Sequence, residues 1–434
     1  VLQQRSNQFD VIVVGARCAG SPLATLLCRA GLKVCLVDRA EFPSDTPSTH
    51  GIQPCGVRIL DRLGVLDEIL ERTEPVENGL LVFDDVRIEV PRFDRDLGAP
   101  MLNVRRVTLD AILLEAAAAA GVEVRTGTTV KDLIESDGRV VGVETTAGAL
   151  RAPLVVGADG ARSTVARLVG AAEYDETPAQ RIFMWGYFEG VEAGRKVWLG
   201  RIADQAFLAS PTDADLFLAA IVPPIDRWDE LRRDRDRHYA EGLSRWPELA
   251  AHLDGARRVG PVRMMSRWHG FFRESAGPGW ALVGDAGHFK DPTPGQGISD
   301  ALRQAVELAG AIETALGGAE DADRVLRAWW SWRDRDAWEM YWFAGDMASG
   351  RTPLLSRAIE ERMAGDPRLV KGLMRVLNHE LPPSRLFTAR VVAPVIAKAF
   401  AAGRGRRGAL LRELRDLAVD EVRHRSPPRI KERS

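Results

Sequence analysis

The chain has 434 residues, 45% hydrophobic and 28% charged, a balance that fits a globular protein with room for two or three domains. A net charge of -2 argues against nucleic-acid binding, and no apolar run has the length of a membrane span, so neither stable membrane insertion nor a signal peptide is expected. Four cysteines (Cys18, Cys28, Cys35, Cys55) form no C-x-x-C pair, so no metal site and no disulfide framework is expected, and the cytoplasm is the natural compartment.

Val11-Ile12-Val13-Val14 is an unbroken apolar run, as in a strand buried on both faces of a parallel sheet. Gly15 ends it. Pro22 falls in the first turn of a helix on which Leu23, Leu26, Leu27 and Ala30 recur at helical spacing, and Gly31 stops that helix. Val34–Val37 give a second strand, with Asp38 at its end. Such a unit offers free N–H groups to a pyrophosphate and an acid to a ribose hydroxyl. A complete G-x-G-x-x-G would need glycine at position 17, where the chain has Arg17. The Arg17 side chain then either turns away from the pyrophosphate or reaches over to a phosphate. The bland alternative is an ordinary α/β unit whose glycines only make the turn.

Residues 41–50 read as a polar loop long enough to cover a cofactor, 57–69 as a helix broken near Gly64, and 80–90 as a hairpin turning at Asp84-Asp85. An Ala-rich helix is expected over 103–120. Short strands at 122–125, 128–134, 139–145 and 154–156 suit a small meander inserted in an α/β domain. Residues 180–222 read as an antiparallel sheet, 226–253 as helical, 262–272 as a return to that sheet and 279–283 as a buried strand. From Ser299 onward the pattern is almost all helix. The apolar stretch 391–402, with Pro394 and Lys398, reads as a helix packed on the protein, and the basic tail 423–434 as frayed. Residues 403–408 match G-x-G-x-x-G letter for letter but follow a helix, so they read as a helix–helix loop.

Two further strands deliver an acid at their C-terminal ends. In Leu154-Val155-Val156-Gly157-Ala158-Asp159-Gly160 the aspartate can join the hydrogen bonding around a cofactor or merely brace the turn, and Ser163 can cap the next helix. Trp280-Ala281-Leu282-Val283-Gly284-Asp285 leads to Pro292-Thr293-Pro294-Gly295-Gln296-Gly297, a loop that opens a helix. The helix start can direct N–H groups and a positive dipole end at a ring that accumulates negative charge.

Together these three stretches resemble the FAD-dependent aromatic hydroxylases, the group A flavoprotein monooxygenases typified by p-hydroxybenzoate hydroxylase. The flavin halogenases and geranylgeranyl reductases are relatives of that family. The resemblance runs from about residue 9 to 308. It implies an α/β chain: a Rossmann-like FAD-binding domain with a parallel sheet, interleaved with an antiparallel-sheet substrate domain, and a helical C-terminal region. Residues 1–79, 98–175 and 273–345 would bind FAD. Residues 80–97 and 176–272 would form the substrate domain, and 346–434 the helical region. The family pattern puts Gly15, Ala16, Gly20, Asp38 and Arg39 on the ADP part of FAD and Asp159 in the cofactor's hydrogen bonding. It puts Gly284-Asp285 on the ribityl chain and Pro292, Gly295, Gln296 and Gly297 along the isoalloxazine ring. Arg106, in Arg106-Val107-Thr108-Leu109, would reach the phosphate or ribityl region. Val130 would touch adenine through its backbone.

Residues 176–270 hold no second dinucleotide unit, so NADPH or NADH would act as a transient reductant, with a separate flavin reductase as the other source of electrons. The resemblance then implies molecular oxygen as co-substrate. A flavin C4a-hydroperoxide would hydroxylate or epoxidise an electron-rich small molecule of aromatic, polyketide or alkene type. Trp185, Tyr187, Trp198, Phe207 and Phe217 are candidates for the substrate wall, with sheet core as the alternative. His50 and Pro292 are candidates for the flavin edge. His288 is structural or near the cofactor, and Lys290 lies near the flavin or is exposed. The aromatics at 329–343 read as helical-face packing. A monomer or homodimer is expected. Halogenation, or reduction of an alkene, is the alternative chemistry; Met184-Trp185-Gly186-Tyr187-Phe188-Glu189 lacks the Ile-Pro of the Trp-x-Trp-x-Ile-Pro halogenase segment. A non-enzymatic flavin-binding module is the third class.

Overall fold

A computed structural model describes residues 7–48, 50–192, 194–318, 320–402 and 405–424. Its first unit is β1 (Val11–Val14), α1 (Gly20–Arg29) and β2 (Val34–Val37), with every strand residue buried. These strands belong to a six-stranded sheet in the order Ala276–Gly277, Trp280–Leu282, Leu154–Gly157, β1, β2, Glu123–Arg125. All its pairs are parallel except the first, at the edge. Burial on both faces explains why each central strand reads as a continuous apolar run.

Register brings the three motifs together. Val14 is level with Gly157 and with Val37, and Gly157 is level with Leu282. Four segments therefore leave the sheet at one carboxyl edge: Gly15, Ala158-Asp159, Gly284-Asp285 and Asp38. A ligand crevice in an open α/β sheet lies at such an edge. The inserted meander is a three-stranded antiparallel sheet, and it includes a strand, Gly148–Arg151, that was not expected.

The second large sheet has seven strands, in the order Arg257–Met265, Phe183–Glu189, Leu216–Val222, Gln205–Thr212, Lys196–Ile202, Asn78–Phe83, Val86–Val90. Two expectations need correction. The sheet is not wholly antiparallel: Lys196–Ile202 runs parallel to Asn78–Phe83, because the early hairpin enters from a distant part of the chain and not through a tight turn. Residues 262–272 do not form one returning strand. Arg257–Met265 is the sheet's edge, while His269–Arg273 pairs with Glu173–Pro178 and His288–Phe289 in a separate sheet.

Strand alternation gives the seven-stranded sheet two different faces. On one, Trp198, Phe207 and Phe217 pack with Tyr239 and Trp246 beneath the helices Arg235–Ser244 and Pro247–His252. On the other, Phe183, Trp185 and Tyr187 share a cluster with Leu218 and Ala220, and Leu81 and Val197 meet the C-terminal helices through Met363 and Leu369. The 28-residue helix Ala322–Ser349 spans the two parts. Trp329 and Trp330 pack on the parallel-sheet core, and Trp338 and Tyr341 on Phe272. No helix among the described residues is long and apolar enough to cross a membrane. Helices Ala389–Ala402 and Arg407–His424 flank the second G-x-G-x-x-G match, of which Gly403 and Arg404 lie outside the described residues, as do 425–434 of the tail.

Candidate active site

The loop after β1 is built so closely that only glycine fits at two positions. Gly15 has φ of 105°, and a Cβ there would lie 2.4 Å from the Ala158 carbonyl oxygen. A Cβ on Gly20 would lie 1.8 Å from the Gly15 oxygen. The N–H groups of Arg17, Cys18 and Ala19 make no hydrogen bond to other described residues, so they are available to an anion at the start of α1. Ala16 instead donates its N–H to Asp38 Oδ2 (2.7 Å), and Asp38 Oδ1 accepts from the Ala40 N–H at 2.8 Å. An ionised carboxylate keeps further lone pairs, so these bonds leave room for a hydroxyl donor. Arg39 is exposed.

Arg17 is committed within the chain. Its Nη1 donates to Asp110 Oδ2 at 2.6 Å, its Nη2 to Ser44 Oγ at 2.6 Å, and its guanidinium sits 5.3 Å from the Phe42 ring centre. Asp110 is fully buried and also accepts from Arg106 Nε (2.9 Å) and Cys18 Sγ (3.3 Å). One carboxylate thus anchors two arginines beside the phosphate loop. Burial would lower the Arg106 pKa, but Asp110 and other nearby acidic groups, Asp285 among them, hold it above its ordinary value. Arg106 therefore stays charged, and no hydrogen bond to a described residue uses its Nη1. Sequence reasoning missed Asp110. Its signal was the spacing of four from Arg106 on the helix Arg106–Ala119, which puts both on one face.

The two other acids differ in their commitments. Asp159 accepts from the Ser163 hydroxyl, the Thr164 N–H (2.6 Å) and the Val165 N–H (3.3 Å), while Ser163 Oγ caps the helix by accepting from the Ala166 N–H at 2.9 Å. Asp285 makes no hydrogen bond to any described residue. Burial pushes its pKa up to about 6, against the pull of Arg106. An acid held close to Arg106 with both oxygens uncommitted suits a ligand rich in hydroxyls. Val130 is buried at the start of its strand.

The Pro292–Gly297 loop is held from two sides. Gln53 donates its N–H to Ser299 Oγ (2.9 Å) and its side-chain amide to the Gly295 carbonyl oxygen (3.2 Å). Gln296 Nε2 donates to the Leu377 carbonyl oxygen at 2.7 Å, and Asn378 Oδ1 accepts from the Cys55 N–H at 2.7 Å. Helix Gly297–Leu316 begins at this loop. Lys290 is buried, not exposed, and pairs with Asp300 at 2.7 Å. His288 packs on Phe272 with ring centres 4.7 Å apart, and burial followed by Arg333 keeps it neutral.

His50 joins the two sheets. It has φ of 63°, is 1% exposed, and its Nε2 lies 2.5 Å from the Tyr187 hydroxyl, which also accepts from Trp185 Nε1 at 3.3 Å. Burial first and Arg106 second lower the His50 pKa to about 3, so the ring is neutral near pH 7. Tyr187 lies 5.9 Å from the Arg105 guanidinium, which is bound to Asp213 through Nε and Nη2.

Next to this pair lies a cavity of about 1490 Å³. Gly51, Gln53 and Pro292 to Gly295 form one side, Leu81, Phe183, Leu199 and Leu208 the sheet side, and Phe343, Met363 and Leu373 the helical side. Of the five aromatic wall candidates only Phe207 borders it, and the Phe207 ring packs on Trp246 with centres 5.5 Å apart. Trp185 and Tyr187 adjoin His50, while Trp198 and Phe217 lie under the outer helices. The aliphatic wall carried no motif, and only strand alternation could have pointed to it.

A family model described as FAD binding domain matches residues 8–343. A menaquinone reductase of Mycolicibacterium smegmatis is 30% identical over 73% of this chain and 78% of its own length. A 6-methylpretetramide 4-monooxygenase of Streptomyces rimosus is 30% identical over 74% and 78%. A 1H-pyrrole-2-carbonyl-[peptidyl-carrier protein] brominase of Pseudoalteromonas luteoviolacea is 28% identical over 72% and 79%. In fold, the chain is similar to the flavin-dependent brominase Bmp2, with a TM-score of 0.73 at 21% identity over 92% of this chain and 99% of that one. The chain belongs to this FAD-binding family: it is an FAD-dependent oxidoreductase.

Proposed function

We propose that this FAD enzyme is a monooxygenase that transfers one atom of molecular oxygen to an electron-rich substrate, by hydroxylation or epoxidation, with NADPH or NADH as reductant. The observation that carries the reading is the cavity against Pro292 to Gly295, because in the resembled family that loop runs along the flavin ring. FAD, when bound, supplies the redox and oxygen chemistry. The chain's residues bind, orient and exclude water. The free N–H groups of Arg17 to Ala19 would take the pyrophosphate, Asp38 the adenosine ribose and Asp285 the ribityl hydroxyls. Arg106 offers positive charge beside them. Gln53 and Gln296 hold the ring-side loop in place. The neutral His50–Tyr187 pair at the edge can orient a hydroxyl without adding charge. The 6-methylpretetramide 4-monooxygenase relative supports this chemistry.

One observation favours a second reading, reduction of a lipid alkene. The cavity exceeds the usual ligand pocket of roughly 300–1,000 Å³, and a menaquinone reductase is among the relatives. An oxygen electrode separates the two. Purified yellow protein with NADPH should consume oxygen faster when an aromatic polyketide or polyene is added, and the product should gain 16 mass units. If reduced flavin persists in air while the alkene gains two hydrogens, the monooxygenase reading fails. A halide-dependent mass gain would assign a halogenase.

A further inference from the structure

Two arginines on the wall of the cavity have opposite surroundings. Arg201 is neutralised: its Nη2 meets both oxygens of Glu360 at 3.0 Å, and its Nη1 meets Asp84 at 3.0 Å. Arg181 is 5% exposed and has no carboxylate within ion-pair distance among the described residues. Its Nε donates to the Ala348 carbonyl oxygen at 2.6 Å and its Nη1 to the Asp204 carbonyl oxygen, so the two bonds fix its plane without cancelling its charge. No hydrogen bond to a described residue uses its Nη2. Asp291, the acid it feels most, turns one oxygen to Thr293 and keeps the other buried without a partner.

A buried guanidinium with no counter-ion is costly unless an anion supplies the missing charge. Such a group, held in plane with donors left over, is built to read a carboxylate or a similar oxyanion. Everything else about the site is apolar: Phe183, Leu199, Leu208, Phe343 and Met363 line the same space. Thr293 and Pro292 border it too, so Arg181 and the ring-side loop face one volume.

We infer that the cavity takes an amphiphilic substrate, an apolar body bearing one anionic oxygen group, and that Arg181 binds that group. The inference rests on the cavity being the substrate site of the proposed oxidoreductase. It adds that the substrate carries a negative charge, and that the anion is held at the Arg181 end while the apolar body runs toward the C-terminal helices.

The test uses oxidised holoenzyme without reductant, so that binding is read apart from turnover. Decanoate and 1-decanol, equal in chain length, are titrated by calorimetry. Decanoate should bind roughly tenfold to a hundredfold more tightly than the alcohol. Arg181→Gln should remove that preference while leaving decanol within about threefold, and Arg181→Lys should keep part of it. Asp291→Asn leaves the Arg181 contacts intact and should tighten decanoate alone. Leu199→Trp, which fills the apolar wall, should weaken both ligands. Equal binding of the two probes, binding of neither, or a preference that survives Arg181→Gln overturns the inference. If Arg181→Gln does not fold, Asp291→Asn decides, and unchanged decanoate affinity there overturns it. A holoenzyme with Arg181-dependent anion preference that consumes no oxygen leaves this inference standing and defeats the monooxygenase reading.

Discussion

The phosphate loop and the seven-stranded sheet show two ways in which a sequence specifies a site. In the loop, residue type alone sets what is possible. Gly15 and Gly20 have no room for a Cβ, so the glycines mark the turn as tightly as the structure does. In the sheet, residue type says little. Phe183, Trp185 and Tyr187 face the flavin side, while Trp198, Phe207 and Phe217, equally aromatic, lie in the core beneath the outer helices. Strand parity and the neighbouring elements separate the two sets. A close backbone approach is a local demand that one residue must meet, whereas a sheet face is a collective choice that many apolar residues can satisfy.

The largest effect should come from breaking the loop side of that comparison. Gly20→Ala puts a methyl group at 1.8 Å from the Gly15 oxygen, so the turn must open. Backbone cannot yield as a flexible side chain does, and a cost of several kcal/mol, above about 3, is expected. The purified variant should be colourless and melt well below the parent. A yellow variant of parental stability would show that the loop has slack.

The contact that joins the regions should give an intermediate effect, visible in pH. His50 is held neutral, with its pKa lowered from 6.5 to about 3, so protonation favours the unfolded chain. Stability tied to this group is whole above pH 6.5 and is lost as pH falls toward 3, by about 2–3 kcal/mol at pH 4.5. His50→Asn tolerates the positive φ and removes the titration. Denaturant titrations between pH 6.5 and 4.5 should therefore show a shallower loss for the variant than for the parent. Parallel curves would mean that His50 does not set the slope.

Arg17 should matter least. The missing middle glycine looks like damage in the sequence, yet the side chain is spent on Asp110 and Ser44. Arg17→Gly leaves Asp110 paired with Arg106, and the half-exposed pair lost is worth about 1 kcal/mol or less. The variant should still bind FAD, with a change below about tenfold by flavin fluorescence titration. Complete loss of flavin would make Arg17 a phosphate ligand.

Much of the fold was legible. The buried runs of the parallel sheet, the hairpin at Asp84-Asp85, the helix break at Gly64 and the helical C-terminal region follow from periodicity and turn chemistry. The parallel pairing of Lys196–Ile202 with Asn78–Phe83 did not, because strand partners far apart in sequence leave no local trace. Asp110 and Arg181 were illegible for a related reason. Each is an ordinary charged residue in sequence, and only burial and the identity of its partners set it apart.

By itself the sequence determined the class of the protein: three strands ending in glycine- and acid-bearing turns, which is what a flavin nucleotide requires of a parallel sheet. The tertiary structure decided the rest, by placing those turns on one carboxyl edge through register, by closing an apolar cavity between the sheet and the C-terminal helices, and by leaving Arg181 charged in its wall. Turn geometry is paid for residue by residue and is therefore written locally. Charge balance and cavity shape are sums over distant segments, and they exist only once the chain has folded.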